Sequence, residues 1–144
     1  GLVGIIAFVV ACFGITIGII CLLKRVVPAG ATLDPRAGKG NASEVPPEIH
    51  GWNWGATGLP IVWGIAHGVW ICLLGLIPPI GLLMIIYLGA KGNELAWRKN
   101  KWESVEVFLD IQNKWKPVGI AFFILLILGW INNILLLLKF AKGF

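Results

Sequence analysis

The chain has 144 residues, 58% of them hydrophobic and 13% charged, where a soluble domain carries roughly 25% charged residues. With a mean hydropathy of +0.85 it is built for lipid, and its length leaves no room for a soluble domain beside a membrane part. The net charge of +5 sits beside apolar segments, where Lys and Arg set orientation; without a basic patch of nucleic-acid-reading architecture, nucleic acid is excluded as a partner.

Residues 1–23 are apolar throughout and end at Lys24-Arg25, enough for a full transmembrane helix over about residues 2–23. A signal peptide would carry its basic stretch before the apolar one; here the basic pair follows. Gly4, Ala7, Ala11, Gly14, Gly18 and Cys21 step by three and four along one helix face, and Gly14 and Gly18 form a GxxxG pair. Small residues let a second backbone approach closely in lipid, so this stripe is expected to pack against another helix.

Residues 24–55 contain Pro28, Gly30, Pro35, Gly38, Gly40, Pro46 and Pro47, which break long regular elements, and they read as a linker. Asn41-Ala42-Ser43 is a formal glycosylation triplet, short and common by chance.

From Ala56 to Ala90 no residue is charged. This run exceeds the roughly 20 residues of one span and falls short of two. Pro78-Pro79 lies past its middle; inside a lone helix these prolines would remove hydrogen bonds that lipid cannot replace, whereas a turn accommodates them. Lys24, Arg25, Arg36 and Lys39 precede the run, and Lys91, Arg98, Lys99, Lys101, Lys114 and Lys116 follow it. If the run returns to its starting side, both groups are cytoplasmic. The expectation is a Pro-broken helical hairpin or re-entrant pair, about 56–76 and 79–97, with segments 24–55 and 91–116 in the cytoplasm. One kinked, tilted helix is the competing arrangement.

Gly64 and Gly68, with Cys72 and Gly75, extend the small-residue theme into the first arm as packing positions, and His67 lies beside them. A His within a membrane segment is a functional candidate. It could hydrogen-bond a neighbouring helix, or ligate the metal of a haem or chlorophyll-type pigment, with the glycines leaving room for a flat ring.

In residues 100–115, Trp102, Val105, Phe108, Leu109, Ile111 and Trp115 share one half of a helix, and Glu103, Glu106 and Asp110 the other. Asn100 and Glu103 have capping-box spacing. This pattern predicts an amphipathic interfacial helix in the headgroup plane, with Trp52, Trp54, Trp97, Trp102 and Trp115 as interfacial anchors. Pro117 then opens the last span, about residues 117–138, which ends at Lys139. Asn132 and Asn133 make a polar spot in it that calls for helix packing.

Cys12, Cys21 and Cys72 lie in apolar segments without a CxxC pair, so neither a metal site nor a disulfide framework is indicated. No GxSxG, HExxH, P-loop or GxGxxG motif occurs, and no acid–base pair lies within a span.

The pattern Trp52-Asn53-Trp54-Gly55-Ala56, Trp63-Gly64, His67, Trp70, Gly89, Lys91-Gly92-Asn93-Glu94, Ala96-Trp97, Trp102-Glu103-Ser104-Val105-Glu106, Phe108, Gln112 and Trp115 resembles the core of a group of small uncharacterised bacterial integral membrane proteins. It covers roughly residues 52–116. The resemblance implies a bacterial source and a membrane-embedded core, and nothing catalytic.

The expectation is therefore an all-α integral membrane protein forming a single membrane domain. It would sit in the bacterial inner membrane, or an internal membrane derived from it, with bound lipid. Its expected role is that of a small non-catalytic accessory subunit packed against other membrane protein subunits. One alternative is a pigment- or haem-binding subunit of a photosynthetic or electron-transport complex, using His67. A small transporter or channel is another, against which stands the lack of charge within the spans.

Overall fold

Every regular element among the described residues, 1–143 of a computed structural model, is helical. The α-helices are α1 (Leu2–Leu23), α2 (Trp54–Gly58), α3 (Pro60–His67), α4 (Ile80–Lys99) and α5 (Val105–Lys142), with 3-10 segments at Gly40–Ala42, Pro47–Ile49 and Trp70–Leu76.

Two of them, α1 and α5, are long and apolar enough to cross a membrane. At about 1.5 Å per residue, the 22 residues of α1 match a hydrocarbon core about 30 Å thick. None of its residues is buried; Ile19 and Leu23, at its C-terminal foot, pack against the core of the molecule. The 38-residue α5 divides by burial. Its first half buries Phe108, Ile111, Gln112, Trp115 and Gly119, whereas every residue from Ile124 to Phe140 is exposed.

This corrects the expected division into an interfacial helix over 100–115 and a span starting at Pro117: α5 runs straight through Pro117. The proline withholds one hydrogen bond, from the Asn113 carbonyl, and Asn113 is exposed. The apolar stripe of residues 105–119 is covered by protein, not by a lipid surface, so nothing separates it from the apolar segment beyond. The N-cap also differs. Ser104 caps α5, its hydroxyl accepting the Val107 N–H at 3.2 Å. Asn100 instead closes α4, its amide donating to the carbonyls of His67 at 2.7 Å and Ala96 at 3.0 Å.

The central run reverses direction at Ile77–Pro79, and Trp70–Leu76 packs back on α4. Its second arm is α4, close to the expected bounds. Its first arm is not one helix over 56–76. Pro60, which has no N–H, opens α3 after a break at Leu59, and Gly68 ends it in the left-handed conformation, φ +67°. The eight residues of α3 rise only about 12 Å, far less than a bilayer.

The Pro- and Gly-rich stretch 24–55 is tied down as a strap. The Asp34 N–H donates to the Trp102 carbonyl (2.7 Å) and the Gly38 N–H to the Trp97 carbonyl (3.1 Å). The Trp97 indole donates to the Glu44 carbonyl (3.0 Å), and Ile49 is fully buried. The Ser43 hydroxyl of the formal glycosylation triplet is spent on the Lys39 N–H at 2.8 Å.

At the centre, α2 is wedged between α4 and α5, and glycines make this close approach of backbones feasible. A Cβ on Gly119 would strike the Trp54 carbonyl, one on Gly58 the Gly119 carbonyl, and one on Gly89 the Trp52 ring. This wedge sets Asn53, the N-cap of α2, against both long helices.

Candidate functional site

A chain of side-chain amides and one imidazole, buried except for half-buried Asn93, runs through the head of the molecule, the part formed by residues 24–119. Asn53, anchored by its own N–H on the Gly89 carbonyl (2.8 Å), accepts the Ala56 N–H on its side-chain oxygen (2.8 Å). Its amide nitrogen donates to Asn93 Oδ1 (2.6 Å) and to Gln112 Oε1 (2.9 Å). The same Gln112 oxygen accepts the Trp63 indole N–H at 3.1 Å. With its oxygen occupied by two donors, the Gln112 amide nitrogen faces His67 Nε2 at 3.0 Å.

The tautomer of His67 follows from its partners. Nδ1 lies 2.8 Å from the Trp63 carbonyl, which can only accept, so Nδ1 carries the proton and Nε2 accepts from Gln112. Burial pushes the His67 pKa down, to about 4, with the hydrogen bond to the Trp63 carbonyl opposing it. The ring is stacked on Trp63, centroids 4.4 Å apart, and flanked by Trp102 at 6.4 Å and Trp115 at 5.6 Å. Within this packing the Trp115 indole N–H is buried without an acceptor.

His67 thus fills the hydrogen-bonding role weighed for it. It does not fit the haem or chlorophyll-type pigment considered beside that role. Both ring nitrogens are engaged, Trp63 lies on its face, and Gly64, expected to leave room for a flat ring, packs directly against Cys72. Gly68 serves the backbone, capping α3 at positive φ. Among the described residues no group of three His, Cys, Asp or Glu could hold a metal ion.

Trp97, Trp102 and Trp115, expected as interfacial anchors, are instead buried, at 0%, 2% and 0% exposure. Trp97 and Trp102 each meet Phe108 edge-on, at 5.6 and 4.8 Å. Trp52 stays exposed and Trp54 half-buried, their rings 6.2 Å apart. In the stripe, Gly4, Ala7, Ala11 and Gly14 are exposed and Gly18 half-buried, and no atom lies within 4 Å of a Cβ placed on its glycines. Asn132 and Asn133 are exposed as well, Asn133 donating to the Gly129 carbonyl of its own helix at 3.0 Å.

Sequence reasoning passed over Asn53, Asn93 and Gln112 as site residues. A signal was present: each lies in a Trp- and Gly-rich segment, where a buried amide needs partners.

Arg25, directly after α1, closes the site on one side. Its guanidinium lies 4.2 Å over the Trp102 ring, pairs with Glu103 at 2.9 Å and bonds the Lys101 carbonyl. It ties the foot of α1 to the loop between α4 and α5. No family model matches the chain, and no curated protein or solved structure matches it.

Proposed function

We propose that this protein is a small, non-catalytic accessory subunit of a larger bacterial membrane complex. It would be held by α1 and α5 in the inner membrane or an internal membrane derived from it. The observation that carries this reading is the contrast between head and spans. The head closes on itself through the Asn93–Asn53–Gln112–His67 chain. The spans pack on almost nothing in their own chain: α1 buries no residue, and α5 is bare from Ile124 to Phe140. In lipid, a small-residue stripe and side-chain amides are favoured where a second helix packs. Those features lie open at Gly4, Ala7, Ala11 and Gly14 and at Asn132 and Asn133, with Gly18 half-buried.

Ten of the 12 Lys and Arg, four in 24–55 and six in 91–116, belong to the head, which argues for a cytoplasmic head. The segment around Pro78-Pro79, with Leu76, Ile77, Leu82 and Leu83 exposed, is read as dipping into the bilayer and returning.

The test is affinity isolation of the full chain from native membranes in mild detergent. A membrane protein should accompany it in fixed proportion, and Gly14→Leu with Gly18→Leu should abolish that association while the head stays folded. Recovery of a stable, partner-free monomer from native membranes would refute the proposal.

A further inference from the structure

We infer that the foot of α1 binds the phosphate headgroup of an anionic phospholipid. The inference rests on α1 being a membrane span and needs no partner subunit. A cavity of about 90 Å³ opens there between Leu23, Arg25, Ala66, His67, Asn100 and Trp102. That is space for about three waters, or for one tetrahedral oxyanion.

The surrounding charge is unbalanced. Lys24 and Arg25 line the cavity, and Lys99 and Lys101 flank Asn100 in the chain. The neighbouring acid is Glu103, already paired with Arg25. Arg25 is held rigidly by Trp102, Glu103 and the Lys101 carbonyl. Two of its hydrogen bonds are thereby made, and a guanidinium has five N–H donors in a fixed fork suited to phosphate oxygens. Burial lowers the Arg25 pKa and Glu103 raises it again, so a second anion beside it would add to the compensation that Glu103 begins. His67 turns both ring nitrogens to other partners and serves as a neutral wall.

The position favours a lipid over free phosphate. Lys24 and Arg25 follow directly on the apolar segment 1–23, which sets them at headgroup depth. Leu23 lines the cavity, and Ile15, Ile17 and Leu22 leave exposed apolar surface on α1 for an acyl chain.

Native mass spectrometry of the full chain, released from nanodiscs containing phosphatidylglycerol and phosphatidylcholine, tests this directly. One phosphatidylglycerol should be retained per chain, with a preference of about tenfold or more, as expected for two nearby cations. Millimolar inorganic phosphate should leave it bound. Arg25→Gln should erase the preference. Ala66→Leu, which fills the cavity and keeps every charge, should do the same, whereas Lys142→Gln at the far end of α5 should not. Equal retention of both lipids, or an undiminished preference in Ala66→Leu, overturns the site. Displacement by inorganic phosphate overturns the lipid assignment. Alkaline carbonate extraction separates the premise: release of the chain from membranes defeats the span itself, and retention without lipid preference defeats the headgroup site alone.

Discussion

Gln112 is the residue on which the head turns. Its oxygen takes two donors and its nitrogen faces His67. Gln112→Leu therefore leaves the buried Trp63 indole N–H and His67 Nε2 without their partner. At about 1–3 kcal/mol for each orphaned group, the variant should lose about 3 kcal/mol or more, measurable by unfolding in detergent. His67 makes a second prediction, of the opposite kind. Its folded pKa, about 4, lies below the ordinary 6.5, so below pH 6.5 the unfolded chain takes up a proton that the folded chain refuses. The contribution to stability is complete above pH 6.5 and is lost as pH falls towards 4, by about 1.4 kcal/mol per unit and about 3 kcal/mol in all. Melting temperatures at pH 7.5 and 5.0 should thus diverge in the parent protein, and that divergence should shrink in His67→Gln. An unchanged divergence would assign the pH dependence to other groups.

The wedge of α2 between α4 and α5 depends on glycine at the contact, whatever the helix propensity. Gly119 and Gly129 lie on the same helix and differ only in surroundings. A Cβ at Gly119 meets the Trp54 carbonyl, and at Gly129 it meets nothing within 4 Å. Ala is favoured over Gly in a helix by about 1 kcal/mol. Gly129→Ala should therefore be neutral or slightly stabilising. Gly119→Ala should be destabilising by about 2 kcal/mol or more, because two backbones must move apart. Comparable unfolding curves for the two variants would show that α2 does not need that close approach. The reversal at Ile77–Pro79 was legible from the proline pair. The fragmentation of the first arm was missed in the sequence, where Pro60 and Gly68 were signals of a break, and the packing of the 3-10 segment on α4 needs the fold.

For the whole molecule, a cytoplasmic head implies that the Gly1 end of α1 and the Lys142 end of α5 lie together on the other side of the membrane. In a background with Cys12, Cys21 and Cys72 replaced by Ala, an impermeant thiol reagent should label Lys142→Cys from outside intact cells. It should reach His50→Cys, on an exposed linker position, only after permeabilisation. Labelling of both from one side would exclude a single crossing by α5.

Sequence alone determined the all-helical character of the chain and the two apolar segments long enough to cross a membrane, because hydrophobic run length is a local property. It also marked the turn at Pro78-Pro79, because proline acts on its own backbone. The tertiary structure decided what covers the tryptophans. A Trp beside an apolar run looks the same in sequence whether headgroups or a protein strap lie over it. Trp97 and Trp102 are buried because residues 34–49, α4 and the first half of α5 meet there, and Trp115 because α2 and α3 lie over it. The amide chain was out of reach for the same reason: Asn53 and Gln112 stand 59 positions apart, and nothing local to either residue specifies the other as its partner. Continuity through Pro117 was likewise settled by packing, since the covered stripe before it holds α5 in one piece.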